Sequence, residues 1–96
     1  MWEQIPDDAD IIITHGPPKG ILDLNRERSF CGCAALLKAI NKINPYMHLF
    51  GHVHDNEIVL NSGIRKLPNA KTIFSNGSVV CDGKTRLISN GNLITL

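Results

Sequence analysis

Leu49-Phe50-Gly51-His52-Val53-His54-Asp55 is the stretch on which the fold turns. An apolar run over residues 46–50 stops at a glycine, and two histidines separated by one residue follow. If the run is a buried strand, alternate side chains share a side, so His52 and His54 leave its C-terminal end facing the same way. Gly51 lets the backbone turn tightly or lets another group approach it closely. Neutral imidazole is the commonest metal ligand and binds at roughly 2.0–2.1 Å, so two imidazoles at a strand end suit a transition-metal site. A His-x-His pair by itself also occurs as an incidental surface pair.

A second stretch is built the same way: Asp10-Ile11-Ile12-Ile13-Thr14-His15-Gly16-Pro17-Pro18. A β-branched run reaches a histidine and then turn residues. Open α/β sheets hold their ligands outside the carboxyl ends of strands. Two strands that both end in histidine therefore imply one shared site made of His15, His52 and His54.

Taken in order with Gly32-Cys33-Ala34-Ala35-Leu36-Leu37 and Phe74-Ser75-Asn76-Gly77-Ser78, these motifs resemble those of the calcineurin-like metallophosphoesterases. The nearest branch is the metallophosphoesterase-domain proteins, in which T-H-G-P-P is followed by G-C-x-x-L-L. The resemblance implies an α/β fold, the C-terminal half of a β-sandwich flanked by helices, and so an incomplete four-layer α/β/β/α arrangement. Residues 1–96 would form a single partial domain. It also implies that His15 and His52 bind one metal and His54 the other. The cofactors would be two divalent transition-metal ions, Mn, Fe, Zn or Ni, since imidazole suits these better than Mg. The implied activity is metal-dependent hydrolysis, phosphodiesterase or phosphatase, of a phosphoester small molecule or nucleotide.

The family's D-x-H, G-D and G-N-H-[DE] motifs do not occur here. They would supply the bridging carboxylate, the remaining ligands and the histidine that protonates the leaving group. No catalytic residue is therefore assigned, and the substrate-binding residues stay open. The chain is expected to need a missing N-terminal half or a dimer partner. The rival expectation is a non-catalytic remnant or binding module that packs on a partner, with one half of a split enzyme between the two.

Composition sets bounds. Ninety-six residues allow one domain or part of one, and so short a chain buries a small share of its surface. A hydrophobic fraction of 43% is too high for disorder. Ten Lys and Arg against nine Asp and Glu leave a net charge of +1, no footprint for nucleic acid or an anionic membrane. The start lacks a signal peptide, and no apolar stretch approaches the ~18 residues that span a bilayer. The odd cysteine count, Cys31, Cys33 and Cys81, points to a reducing, cytoplasmic location.

Along the chain, residues 1–8 read as a connection, 10–14 as a buried strand and 16–20 as a loop stiffened by two prolines. Residues 21–30 read as a polar surface loop, with Arg26 or Arg28 an alternative fork for a substrate phosphate. Residues 32–43 are the one clear helix, with Cys33, Leu36, Leu37, Ile40 and Ile43 on its apolar face and Pro45 beyond its end. Cys33 is expected as a small core residue, with a Cys31–Cys33 metal clip as the alternative. His48 is expected as a hydrogen-bonded strand histidine. Asp55 is expected to cap a turn or to orient a ligand imidazole. Short strands are expected at residues 57–60, 72–74, 78–81, 86–89 and 93–96, with turns at Asp82-Gly83 and Asn90-Gly91.

Overall fold

The computed structural model describes residues 2–56, 58–68, 70–79 and 91–94. After a 3-10 turn at Trp2–Gln4 come β1 (Ile11–Ile13), α1 (Ala34–Ile43), β2 (Met47–Phe50), β3 (Gly63–Lys66) and β4 (Ile73–Asn76). The strands form one sheet in the order β1-β2-β4-β3. β1, β2 and β4 run parallel, and β3 is antiparallel to β4. The α/β class expected from the sequence is therefore the class observed. The one four-stranded sheet and one helix among the described residues do not by themselves specify a sandwich.

The helix forms where its apolar positions recur at three and four residues, and it stops for local reasons. Asn44 takes the left-handed conformation (φ 54°) and returns its N–H to the carbonyl of Ile40. Lys42 lies in the last turn, where the helix dipole favours a cation. Its start corrects the sequence expectation. Cys33 is not in the core: it is exposed and is the N-cap, its sulfur accepting the N–H of Leu36 at 3.4 Å.

Register decides which face is buried. Ile12, His48 and Phe74 lie side by side across β1, β2 and β4, and Phe50 pairs with Asn76 in the same face. Leu36 and Ile40 of α1 join Ile12, Phe50 and Phe74 in the core, together with Ile21 and Leu22. The opposite face carries Ile11, Ile13 and Ile64, all exposed, Ile13 by 74%.

Several loop and strand expectations are corrected. Residues 21–30 are not wholly a surface loop, because Ile21, Leu22 and Asp23 are buried. No strand forms over residues 58–60: the Asn56 side chain accepts the N–H groups of Ile58 and Val59, making a local turn. The strand lies later, at β3, whose single apolar side chain is exposed and whose order comes from pairing with β4. Ser78, Val79, Leu93 and Ile94 are not in strands. The remainder of those expected strands, Cys81 and the Asp82-Gly83 turn lie outside the described residues, as does Asn90.

Ile40 is only 1% exposed, so Ile40→Ala is expected to lower stability by ~2–5 kcal/mol in a denaturant titration. Cys33→Ser, which supplies a stronger capping oxygen, is expected to raise stability by up to about 1 kcal/mol, whereas Cys33→Ala lowers it. A null result for both would remove the capping role.

Candidate functional site

The parallel ladder between β1 and β2 continues past both strands. Thr14 donates its N–H to Leu49 at 3.0 Å, and Gly51 donates to His15 at 3.1 Å. The two chains thus leave the sheet side by side, and the rings of His15 and His52 stand 4.5 Å apart between centroids, tilted by 41°. His54 lines the same cleft, about 470 Å³ in volume, together with Thr14, Cys31 and Cys33.

The route from His52 to His54 is not the extended one that strand alternation suggests. His52 has φ 74°, and Val53 donates its N–H back to the carbonyl of Gly51 at 2.9 Å. This closes a three-residue turn in its rare, strained form, with a non-glycine residue at the centre. Gly51 itself has no positive φ, so the turn expected at the glycine is made one residue later. A β-carbon on Gly51 would meet only Ser78 Oγ, at 3.8 Å, an ordinary contact.

Buried polar side chains hold this loop, and no local pattern in the chain marks them beyond their Asn and Asp chemistry. Asn76 donates to the carbonyls of Val53 (2.9 Å) and Leu22 (3.1 Å) and accepts the N–H of Ser78. Asn61 donates to the carbonyls of His54 (2.9 Å) and Leu24 (2.7 Å) and accepts the N–H of Leu24. Asp23, one residue between those anchors, accepts the N–H groups of Gly20 and Gly32 on one carboxylate oxygen. Asp55 accepts the N–H and the hydroxyl of Ser62 on its two oxygens, a tie between positions seven residues apart in place of the local turn or ligand imidazole expected.

Beneath the cleft His48 is fully buried. The Thr14 hydroxyl donates to the carbonyl of Gly16 at 2.7 Å. With its single proton so used, it accepts from His48 Nε2 at 2.9 Å, which makes His48 the Nε2–H tautomer. Its Nδ1 is buried with no partner among the described residues. Burial pushes its pKa down from 6.5 to about 4. The expected strand histidine is thus present, and it braces the turn that carries His15. At the cleft wall the N–H of Leu36 pulls the Cys33 thiol below its usual pKa, while burial and the nearby Asp23 push Cys31 up.

No family model matches the chain. Metallophosphoesterase domain-containing protein 1 of Homo sapiens is 38% identical over 77 residues, covering 78% of this chain and 24% of that protein. A UPF0046 protein of Caenorhabditis elegans is 42% identical over 69 residues, 72% of this chain and 23% of its own length. A second UPF0046 protein from the same organism is 38% identical over 90 residues, 88% of this chain and 29% of its own. The chain belongs to the metallophosphoesterase-domain family. It spans about a quarter of the length of these relatives.

In this metallophosphoesterase-domain chain, His15 and His52 meet and His54 faces the same cleft. Among the described residues no three His, Cys, Asp or Glu side chains form a group that could hold one ion. The donors fit a transition-metal cation in kind, as imidazoles opening on a cleft, and they fit as part of a ligand set. Arg26 and Arg28 are exposed, and their neighbour Asn25 is the member of that loop that lines the cleft.

His48 should make the fold acid-sensitive. Above pH ~6.5 both folded and unfolded states hold it neutral. Between ~6.5 and about 4 only the unfolded state takes up the proton, so stability falls as pH drops through that window, by up to ~1.4 kcal/mol per pH unit. Thermal melts from pH 7 to 4 should show this slope in the wild type and a shallower one in His48→Gln, which keeps a donor for Thr14. Equal slopes would exclude His48 as the source.

Proposed function

We propose that this chain supplies the histidine part of a two-metal phosphoester hydrolase centre, with His15 and His52 serving one cation and His54 the other. The observation that carries this is the His15–His52 ring pair, brought together by the ends of two parallel strands, with His52 held at φ 74°. Strain of that kind persists where the surroundings over-determine it, and it clusters at functional sites. The chemical class is hydrolysis of a small phosphoester or nucleotide. A pair of Mn, Fe, Zn or Ni cations there would supply an activated hydroxide and charge stabilisation on the phosphoryl oxygens.

The chain's own residues hold the imidazoles along the cleft and fasten their backbone by hydrogen bonds. Among the described residues they do not complete the centre. Asp10 is at the far end of β1, its carbonyl receiving Tyr46 and Met47, while Asp23 and Asp55 are engaged with Gly20, Gly32 and Ser62. A bridging carboxylate, the second cation's further ligands and the leaving-group acid would come from an N-terminal half, in the same polypeptide, a separate chain or a dimer partner. The exposed Ile11 and Ile13 face supports such a covering layer and, with it, the half-sandwich architecture. Two free exposed cysteines in the cleft support a reducing, cytoplasmic setting. No helix of the described residues is long and apolar enough to cross a membrane.

A second reading, a non-catalytic module that packs on a partner, is favoured by the exposed apolar face of Ile11, Ile13 and Ile64 and by the lack of a three-ligand group among the described residues. Two measurements separate them. Calorimetric titration with Zn²⁺ or Mn²⁺ should show binding that the His15→Ala, His52→Ala, His54→Ala triple variant loses. Hydrolysis of bis-p-nitrophenyl phosphate with Mn²⁺ should be weak for the chain alone and rise when an N-terminal half is added, since a general acid commonly contributes 10²–10⁴-fold. Unchanged metal affinity in the triple variant would exclude the hydrolase assignment and leave the packing module.

A further inference from the structure

We propose that Asn76 and Asn61 are positioning residues of the histidine cleft, acting through the backbone of the loop that carries His52 and His54. The inference rests on the metal-binding role given to those histidines. It begins from burial. Asn76 is 0% exposed and Asn61 1%, and each amide has hydrogen-bond partners on both its oxygen and its nitrogen. Side chains so placed are costly to bury unless every polar atom is paired.

The placement of those partners is not generic. One amide holds the carbonyl of Val53 and the other holds the carbonyl of His54, two successive peptide groups of one loop. Both also grip the same distant segment, at Leu22 and at Leu24. That segment is itself fastened by Asp23, whose carboxylate receives the N–H groups of Gly20 and of Gly32, the residue between the cleft-lining Cys31 and Cys33. A continuous set of hydrogen bonds therefore runs from Gly32, just before α1, to the two peptide groups that flank the Cα of His54. Peptide planes fix the directions of the adjoining Cα–Cβ bonds. The planes that carry these two carbonyls flank the Cα of His54 and so fix where its imidazole emerges, and they anchor Val53, whose N–H closes the turn that keeps His52 at a strained φ no local preference would maintain.

The test compares the intact wild-type chain with Asn76→Asp and Asn61→Ser. Asn76→Asp keeps the shape and the acceptor for Ser78 but replaces the donor with an oxygen facing two carbonyls. Asn61→Ser withdraws the donor from His54 and remains informative if Asn76→Asp fails to fold. The control is Thr72→Val, which removes the buried 2.6 Å bond from Thr72 to Pro45 at the opposite end of the sheet. Two readouts are taken: Co²⁺ affinity with its visible spectrum, and ring-to-ring cross-peaks between His15 and His52 by NMR without metal. Both Asn variants should lose the cross-peaks and 10–100-fold in Co²⁺ affinity, while Thr72→Val melts earlier and keeps both. If Thr72→Val at a matched loss in melting temperature does the same, or if the Asn variants keep both signals, the positioning role is overturned. If the wild type binds no Co²⁺, it is the metal assignment that fails, and the metal-free cross-peaks alone decide for or against positioning.

Discussion

Parallel pairing between β1 and β2 is the constraint from which the rest follows. It sets Ile11 opposite Met47, Ile12 opposite His48 and Ile13 opposite Leu49. Because side chains alternate, a slip of one residue would turn Ile12 out of the core and bring the exposed Ile11 and Ile13 in. The same register carries beyond the strands to Thr14–Leu49 and His15–Gly51, so the two histidine-bearing turns begin at the same height. Parallel strands need a crossover, and α1 provides it while covering the face that holds Ile12, Phe50 and Phe74. Core and cleft thus have one geometric origin.

Around the cleft the chain is held by buried polar groups more than by apolar contact. Asp23, His48, Asn61 and Asn76 are each at most 1% exposed. Loops cannot pair their backbone groups with a ladder, so side chains must satisfy those groups instead. Close approach follows. A β-carbon on Gly32 would overlap the Pro18 carbonyl and stand 2.7 Å from Asp23 Oδ2, which makes glycine a requirement where the Pro-Pro loop meets the start of α1. The Pro18–Cys33 bridge and the bonds from Lys19 to Cys33 and from Cys33 to Pro17 close the same clasp. The cost of such a network is intolerance: a half-satisfied buried polar group is worse than an apolar one.

The two faces of the sheet differ in a way that bears on function. One is covered by α1; the other exposes Ile11, Ile13 and Ile64. A small chain has little surplus stability with which to tolerate exposed β-branched residues on an edge strand. The cleft has an equivalent shortage, with imidazoles present and no third ligand group among the described residues. Both shortages lie on a chain that spans about a quarter of its relatives' length.

Elements with strong local signals were legible in the chain alone. Ile-rich and apolar runs ending in His15 and His52 marked two strands, and the spacing of Leu36, Ile40 and Ile43 marked the helix, because periodicity is written in neighbouring residues; the burial expected of both strands holds for β2, whereas β1 buries only Ile12 and exposes Ile11 and Ile13. The same motifs were enough to name the family. Tertiary structure decided what depends on distant partners. Cys33 became a cap because the helix starts one residue after it. β3 exists because β4 pairs with it, and residues 58–60 are not a strand because Asn56 captures their N–H groups. Asp23 proved to be buried, and His52 took a left-handed φ, for the same reason. Asn76 and Asn61 draw together segments more than thirty residues apart, and no local pattern encodes a hydrogen bond whose two ends are joined only by the fold.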